Sequence, residues 1–221
     1  MAENIARREF DIEEAIKFGW NTMKANFWFF FGIIWTAVAI SIVPNLPVLI
    51  VMRASRFTGE HAFIIAILYI VSIVAGSIIQ MGYINIGLIF CDEKKAKFSD
   101  YFAPLPHILT YIVSSILYGL IVMGGFLLFI IPGIYWAVKF QFFGYFIIDQ
   151  KCGPIDALKK SSAITEDVKW QLILFGIVLY LINLLGVIAL FVGLFAAGPT
   201  TLVAYTSVYR KLLNQTKAVT A

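Results

Sequence analysis

The sequence predicts an all-α fold, a polytopic transmembrane helical bundle of about six spans, built as three αα-hairpins with cytoplasmic interfacial amphipathic helices. Three observations predict it. Hydrophobic residues make up 61% of the chain and charged residues 14%, at a mean hydropathy of +0.88, whereas a soluble domain is roughly 25% charged. A soluble domain of 221 residues has too much surface for its volume to bury so much apolar side chain. The apolar residues fall in runs long enough to cross a bilayer, which takes about 20 residues of helix. Lysine and arginine gather on alternate loops, the pattern that sets membrane orientation. Twenty Phe and ten Tyr suit lipid-facing walls and interfacial belts.

The elements follow in chain order. Residues 10–26 carry Ile12, Ile16, Trp20 and Met23 at steps of three and four, a single apolar stripe on a helix. Asp11 and Glu14 have capping-box spacing at its start. Polar on its other side, this helix is expected to lie along the membrane surface. The spans expected are 27–51, 63–90, 107–130, 134–148, 170–190 and 193–210. Pro44 and Pro47 interrupt the first late, and the run from Phe63 to Phe90 holds no charge. The run from His107 to Ile148 is too long for one crossing, and Pro132-Gly133 offers a turn. Trp170 to Tyr209 is a second double-length run without a charge, with Gly186 and Gly193 bracketing a turn and Gly198-Pro199 kinking the last helix. Pro154 to Val168 reads as a second amphipathic helix with proline in its first turn. Ser99 to Ala103 reads as a third, cut short by Pro104 and Pro106. Residues 1–221 then form one membrane domain.

Fourteen Lys and Arg fall on the side of both termini, against Arg53 and Arg56 on the other, with Lys139 inside a span. The expected location is a cytoplasmic (inner) membrane with both termini cytoplasmic. An internal repeat is also visible. Ala15-Ile16-Lys17 and Trp28 align without gaps on Ala157-Leu158-Lys159 and Trp170. Chance similarity between amphipathic patterns is the alternative.

From Phe129-Ile130-Ile131-Pro132-Gly133-Ile134-Tyr135 through Phe140-Gln141-Phe142-Phe143, Asp149 and Gly153-Pro154-Ile155-Asp156-Ala157-Leu158-Lys159-Lys160-Ser161, the chain resembles a broad uncharacterised group of prokaryotic six-helix membrane proteins. That group is related to the membrane domain preceding some glycerophosphodiester phosphodiesterases. The likeness covers roughly the last hundred residues and, more loosely, Ala15 to Trp28. It departs at Ser162, where an aromatic is usual, and at Val168-Lys169. The resemblance implies the fold and no activity.

Chemistry-bearing residues are sparse. Lys139 is the one ionisable group within a span, and such groups are costly there. Two readings stand. Its side chain reaches the outer interface near the Pro132 turn, or it contacts an anionic group with Gln141 beside it. His61 and His107 fall at opposite faces, which argues against a shared metal. Cys91 and Cys152 read as unpaired thiols. Gln80, Asn85 and Asn183 read as interhelical amides, and Gly76, Gly82, Gly119, Gly124, Gly125 and Gly176 as close packing sites. Asp92-Glu93, Asp149, Asp156 and Glu166-Asp167 read as solvated carboxylates beside lysines. No catalytic motif, cofactor box or metal set is present in the pattern, and basic residues never form a nucleic-acid stripe. The expected partners are the lipid bilayer and another membrane protein or a second copy. The expected function is that of a non-enzymatic membrane-complex component or docking partner. The alternative is a small transporter or lipid-handling protein.

Reporter fusions test the orientation. Fusions after Gln150 and after Gln215 should report cytoplasm, and one within residues 53–60 the opposite side. Termini on opposite faces would refute six spans.

Overall fold

The computed structural model describes residues 9–54, 62–189 and 193–220. Arg7, Arg8, Arg56 and His61 lie outside the described residues. In chain order the elements are α1 (Ile12–Ala25), α2 (Phe27–Ala54) and α3 (Ala62–Cys91), then two 3-10 turns (Phe98–Tyr101 and Leu105–His107). They continue with α4 (Ile108–Leu128), α5 (Ile130–Phe140), α6 (Phe143–Gln150), α7 (Pro154–Ile164), α8 (Lys169–Ile188) and α9 (Leu194–Thr220). No strand occurs among the described residues. The fold is the all-α bundle that the composition predicts, and the chain is a multi-pass membrane protein.

Five segments are long and apolar enough to cross a bilayer: Phe27–Val51, Phe63–Cys91, Phe98–Leu128, Ile130–Gln150 and Lys169–Ile188. The sixth expected span is the first half of α9, a more polar stretch with Thr200, Thr201, Thr206 and Ser207. Its position explains the composition. α9 packs against α1, α2, α3, α7 and α8, and Thr200, Val203, Ala204, Thr206, Val208 and Tyr209 are buried. A helix sheathed by neighbours has little lipid to satisfy. Its hydroxyls donate to its own carbonyls, as Thr200 does to Ala196 and Thr206 to Leu202.

Two expected boundaries move. The turn between α4 and α5 lies at extended Phe129 (φ −163°, ψ 160°), not at Pro132-Gly133. Pro132 sits in the first turn of α5, where the N–H it lacks has no helical acceptor. Gly133 instead seats against Gly125 across the hairpin. The fourth span is not one helix over 134–148 but α5 and α6, broken at Gln141-Phe142. The expected third amphipathic helix is two 3-10 turns, with the Lys97 N–H donating to Asp100 Oδ2 at 2.7 Å. Of the six expected packing glycines, Gly82 and Gly125 make close contacts, while Gly76, Gly119, Gly124 and Gly176 face open space.

α1 differs in its surroundings from a helix lying free on a surface. Asp11 Oδ1 accepts the Glu13 and Glu14 N–H groups at its start. Glu14 does not complete the capping box; its carboxylate pairs with Lys211 at 2.5 Å. Gln215 donates to the Glu9 carbonyl, and Gly19 abuts Thr200 and Ala204, so α1 runs antiparallel along α9. The small residues Ala15 and Gly19 let the two backbones approach. That contact turns Ala15, Gly19 and Met23 inward. Ile12 and Ile16 are half-buried, and Trp20 stays exposed.

Burial follows the internal repeat. Ala15, Gly19, Met23, Phe30, Ile33, Ala37 and Pro44 are buried, and so are their equivalents Ala157, Ser161, Thr165, Leu172, Phe175, Leu179 and Gly186. Every pair keeps the offset that carries Ala15 onto Ala157. A second offset, the one that carries Met23 onto Pro104, brings Met23, Phe30, Ile33 and Pro44 onto buried Pro104, Tyr111, Ser114 and Gly125. The unit is a short amphipathic segment followed by a span whose inward face is specified position by position.

A side chain at Gly19 has nowhere to go, since its Cβ runs into the Thr200 carbonyl. Gly19→Leu should destabilise the protein by about 1–3 kcal/mol through overpacking and release α1 to protease. Gly76→Ala, in open space, should be neutral or slightly stabilising. Thermal unfolding in detergent and limited proteolysis read both.

Candidate functional site: a polar cavity at the helix break

A helix broken inside a bilayer leaves backbone groups that lipid cannot satisfy. At Gln141-Phe142 the partners come from α7. The Phe142 N–H donates to Ser161 Oγ at 3.0 Å, and the Ser161 hydroxyl donates to the Lys139 carbonyl at 3.2 Å. Thr165 Oγ1 donates to the same carbonyl at 3.0 Å. Ser161 and Thr165 stand four residues apart on one face of α7, both fully buried, so this amphipathic helix is a polar plug for a broken span. From α4, the Tyr118 hydroxyl donates to the Ala137 carbonyl at 3.2 Å.

The break turns Gln141 inward. Its Oε1 accepts the Tyr205 hydroxyl of α9, while its Nε2 is buried without a partner among the described residues. It opens on a cavity of about 530 Å³ whose polar lining includes Gln80, Tyr111, Gln141, Tyr145, Asn183 and Tyr205. Among the described residues, no Asp, Glu, Lys or Arg lines it. The Tyr145 hydroxyl is 3.3 Å from Thr206 Oγ1, and Asn183 Nδ2 donates to the Leu179 carbonyl at 2.8 Å.

Two apolar spaces adjoin it. One of about 420 Å³, walled by Phe30, Ile33, Leu194, Phe195 and Pro199, shares Tyr83, Gly198 and Leu202 with the polar cavity. A groove of about 480 Å³ then follows α2 from Ile34 to Leu49 and again touches Tyr83. The cavity, the apolar pocket and the apolar groove all border Tyr83.

Below the cavity, Arg210 ties three elements together. Its Nη1 lies 2.8 Å from Asp149 on α6, and its Nη2 lies 2.9 Å from Asp92 after α3. The Tyr209 hydroxyl donates to Asp149 Oδ2 at 3.0 Å. Asp149 is thus not a solvated partner of an adjacent lysine, whereas Asp92 is exposed and keeps Lys94 at 4.0 Å besides Arg210. They are drawn to an arginine far away in sequence, whose planar fork reaches both.

The structure separates the two residues grouped at Lys139 and Gln141. Gln141 faces the cavity. Lys139 lies half-buried on the opposite side of the break, its ammonium 5.7 Å from the Phe140 ring. Its carbonyl accepts from Ser161 and Thr165. Tyr205, Tyr145 and Tyr111 escape sequence reading, because tyrosine in an apolar run looks the same facing lipid or a chamber. No family model, curated protein or solved structure matches the chain.

Removing the α7 hydroxyls isolates their role. Ser161→Ala with Thr165→Val should cost about 1–3 kcal/mol for each buried group left unpaired. Denaturant titration in micelles measures it. Unchanged stability would mean that the break satisfies itself.

Proposed function

We propose that this protein is a non-enzymatic lipid-handling membrane protein that holds an amphiphile whose polar end is uncharged. One observation carries the reading: a cleft without charged residues, lined by Gln80, Gln141, Asn183 and several tyrosines, lies beside an apolar pocket and groove that share Tyr83 with it. Desolvating an ion in a cleft without counter-charges is expensive, whereas hydroxyl and carbonyl oxygens find amide and phenol partners there. The pocket and groove along α2, α3 and α9 suit an acyl or isoprenoid chain.

The alternative of a docking component drew on exposed amphipathic helices. Their inward faces are engaged within the chain, α1 by α9 through Ala15, Gly19 and Met23, and α7 by the helix break through Ser161 and Thr165. The charge asymmetry supports an inner-membrane orientation with both termini cytoplasmic, and Arg210, Asp92 and Asp149 then cluster at the cytoplasmic end of the bundle.

Diacylglycerol should raise the unfolding temperature of the purified protein by several degrees through ligand linkage. Gln141→Leu combined with Tyr205→Phe should abolish that shift while keeping the fold, because it removes both partners of the Gln141–Tyr205 hydrogen bond and strands neither. Equal shifts in both proteins, or stabilisation by phosphatidic acid alone, would overturn the reading.

A further inference from the structure

A separate space of about 510 Å³ lies between α5 and the start of α8. Its wall is apolar: Ile131, Ile134 and Val138 from α5, Ile173 from α8. Its rim is aromatic, with Tyr135 and Trp170, the latter 82% exposed. Trp and Tyr in this setting mark the level of lipid headgroups.

Three charged residues, Lys169, Glu166 and Asp167, line it and a fourth, Lys139, stands one turn beyond Tyr135; the lysines are the more buried and the carboxylates the more exposed. Lys169 is half-buried, its ammonium 2.7 Å from the Tyr135 hydroxyl and 4.5 Å from the ring centroid. Lys139, one turn beyond Tyr135 on the same face of α5, is also half-buried and acts electrostatically on that hydroxyl. Glu166 and Asp167 line the mouth and are exposed. None of these four groups joins an ion pair among those of the described residues.

We propose that this groove binds a zwitterionic phospholipid bearing a primary ammonium, with its phosphate on Lys139 and Lys169 and its ammonium on Glu166 and Asp167. The inner cations and outer anions reproduce the headgroup's own order, since the phosphate joins the glycerol and the ammonium extends beyond it. The four side chains sum to zero charge. A net anionic lipid, or free phosphate, gains from the lysines and loses to the carboxylates. A quaternary ammonium has no N–H to give them, whereas a primary one gives three. The apolar wall beneath takes the acyl chain. The site is independent of the chamber, with which it shares no lining residue.

The test uses the full chain in phosphatidylcholine vesicles doped with phosphatidylethanolamine that carries a diazirine in one acyl chain. Crosslinks should map to the peptides holding Ile131 to Val138 and Ile173. Unlabelled phosphatidylethanolamine should compete about fivefold better than phosphatidylcholine or phosphatidylglycerol, the scale of one interfacial charge contact. Glu166→Gln with Asp167→Asn should erase that advantage. Both residues are exposed, so this variant folds whatever happens at the lysines. Lys139→Met with Lys169→Met should reduce labelling, and the double arginine variant should retain it. Equal competition by phosphatidylcholine against the wild type, stronger competition by phosphatidylglycerol, or displacement by millimolar inorganic phosphate would each overturn the assignment.

Discussion

The structure depends on one constraint: a backbone group exposed by a break in a membrane helix must find a partner inside the protein. At Gln141-Phe142 the partners are Ser161 and Thr165. That requirement fixes α7 against the bundle and orders the α6–α7 connection, where Lys151 adopts a left-handed conformation (φ 54°) to end α6. It also turns Gln141 toward Tyr205. Without the break, residues 130–150 would cross as one helix, and the space now lined by Gln141 and Tyr145 would be closed by side-chain packing. The cavity is a consequence of where the helix stops.

α9 is the second organising element, and it holds the others by contacts of different kinds at different depths. Toward its start, Leu194, Phe195 and Pro199 line the apolar pocket with α2. In the middle, Tyr205 and Thr206 meet Gln141 and Tyr145. At Arg210 the contacts become ionic and join α3 and α6. Half-burial makes this cluster stronger than exposed pairs such as Lys17–Glu13, because solvent screens it less. Truncating Arg210 would strand two carboxylates together, so its loss acts on α3 and α6 at once.

Much of the architecture is legible in the sequence because hydropathy reports the environment of a helix directly. The uncharged runs mark the five apolar crossings, and the repeat is visible at Ala15 and Ala157 before its burial pattern is known. The chamber is much less legible. Gln141 stands out as an amide in a span, but nothing local distinguishes Phe142 as a break, since the signal lies further along the chain, on α7, in Ser161. Asp149 and Arg210 are likewise 61 residues apart. Proline misleads once: Pro132 looks like a turn and sits in the first turn of α5, while Pro199 sits inside the last helix as expected. Local composition records solvent, and long-range polar pairs record topology.

Burial along the three repeat-like segments differs in a way that bears on where the spaces lie. In the first and last copies the inward positions along the leading span are filled through to Pro44 and Gly186. The middle copy buries only Tyr111, Ser114 and Gly125 on α4, and large side chains such as Leu109, Leu120, Leu127 and Phe129 face outward. Its returning span is the broken one. The groove lies against the short helix α5 through Tyr135 and Val138, and the cavity borders the break that ends it, at Gln141. The groove draws on the length of this helix and the cavity on the break beyond its end, with no lining residue in common, so a substitution in one leaves the lining of the other intact.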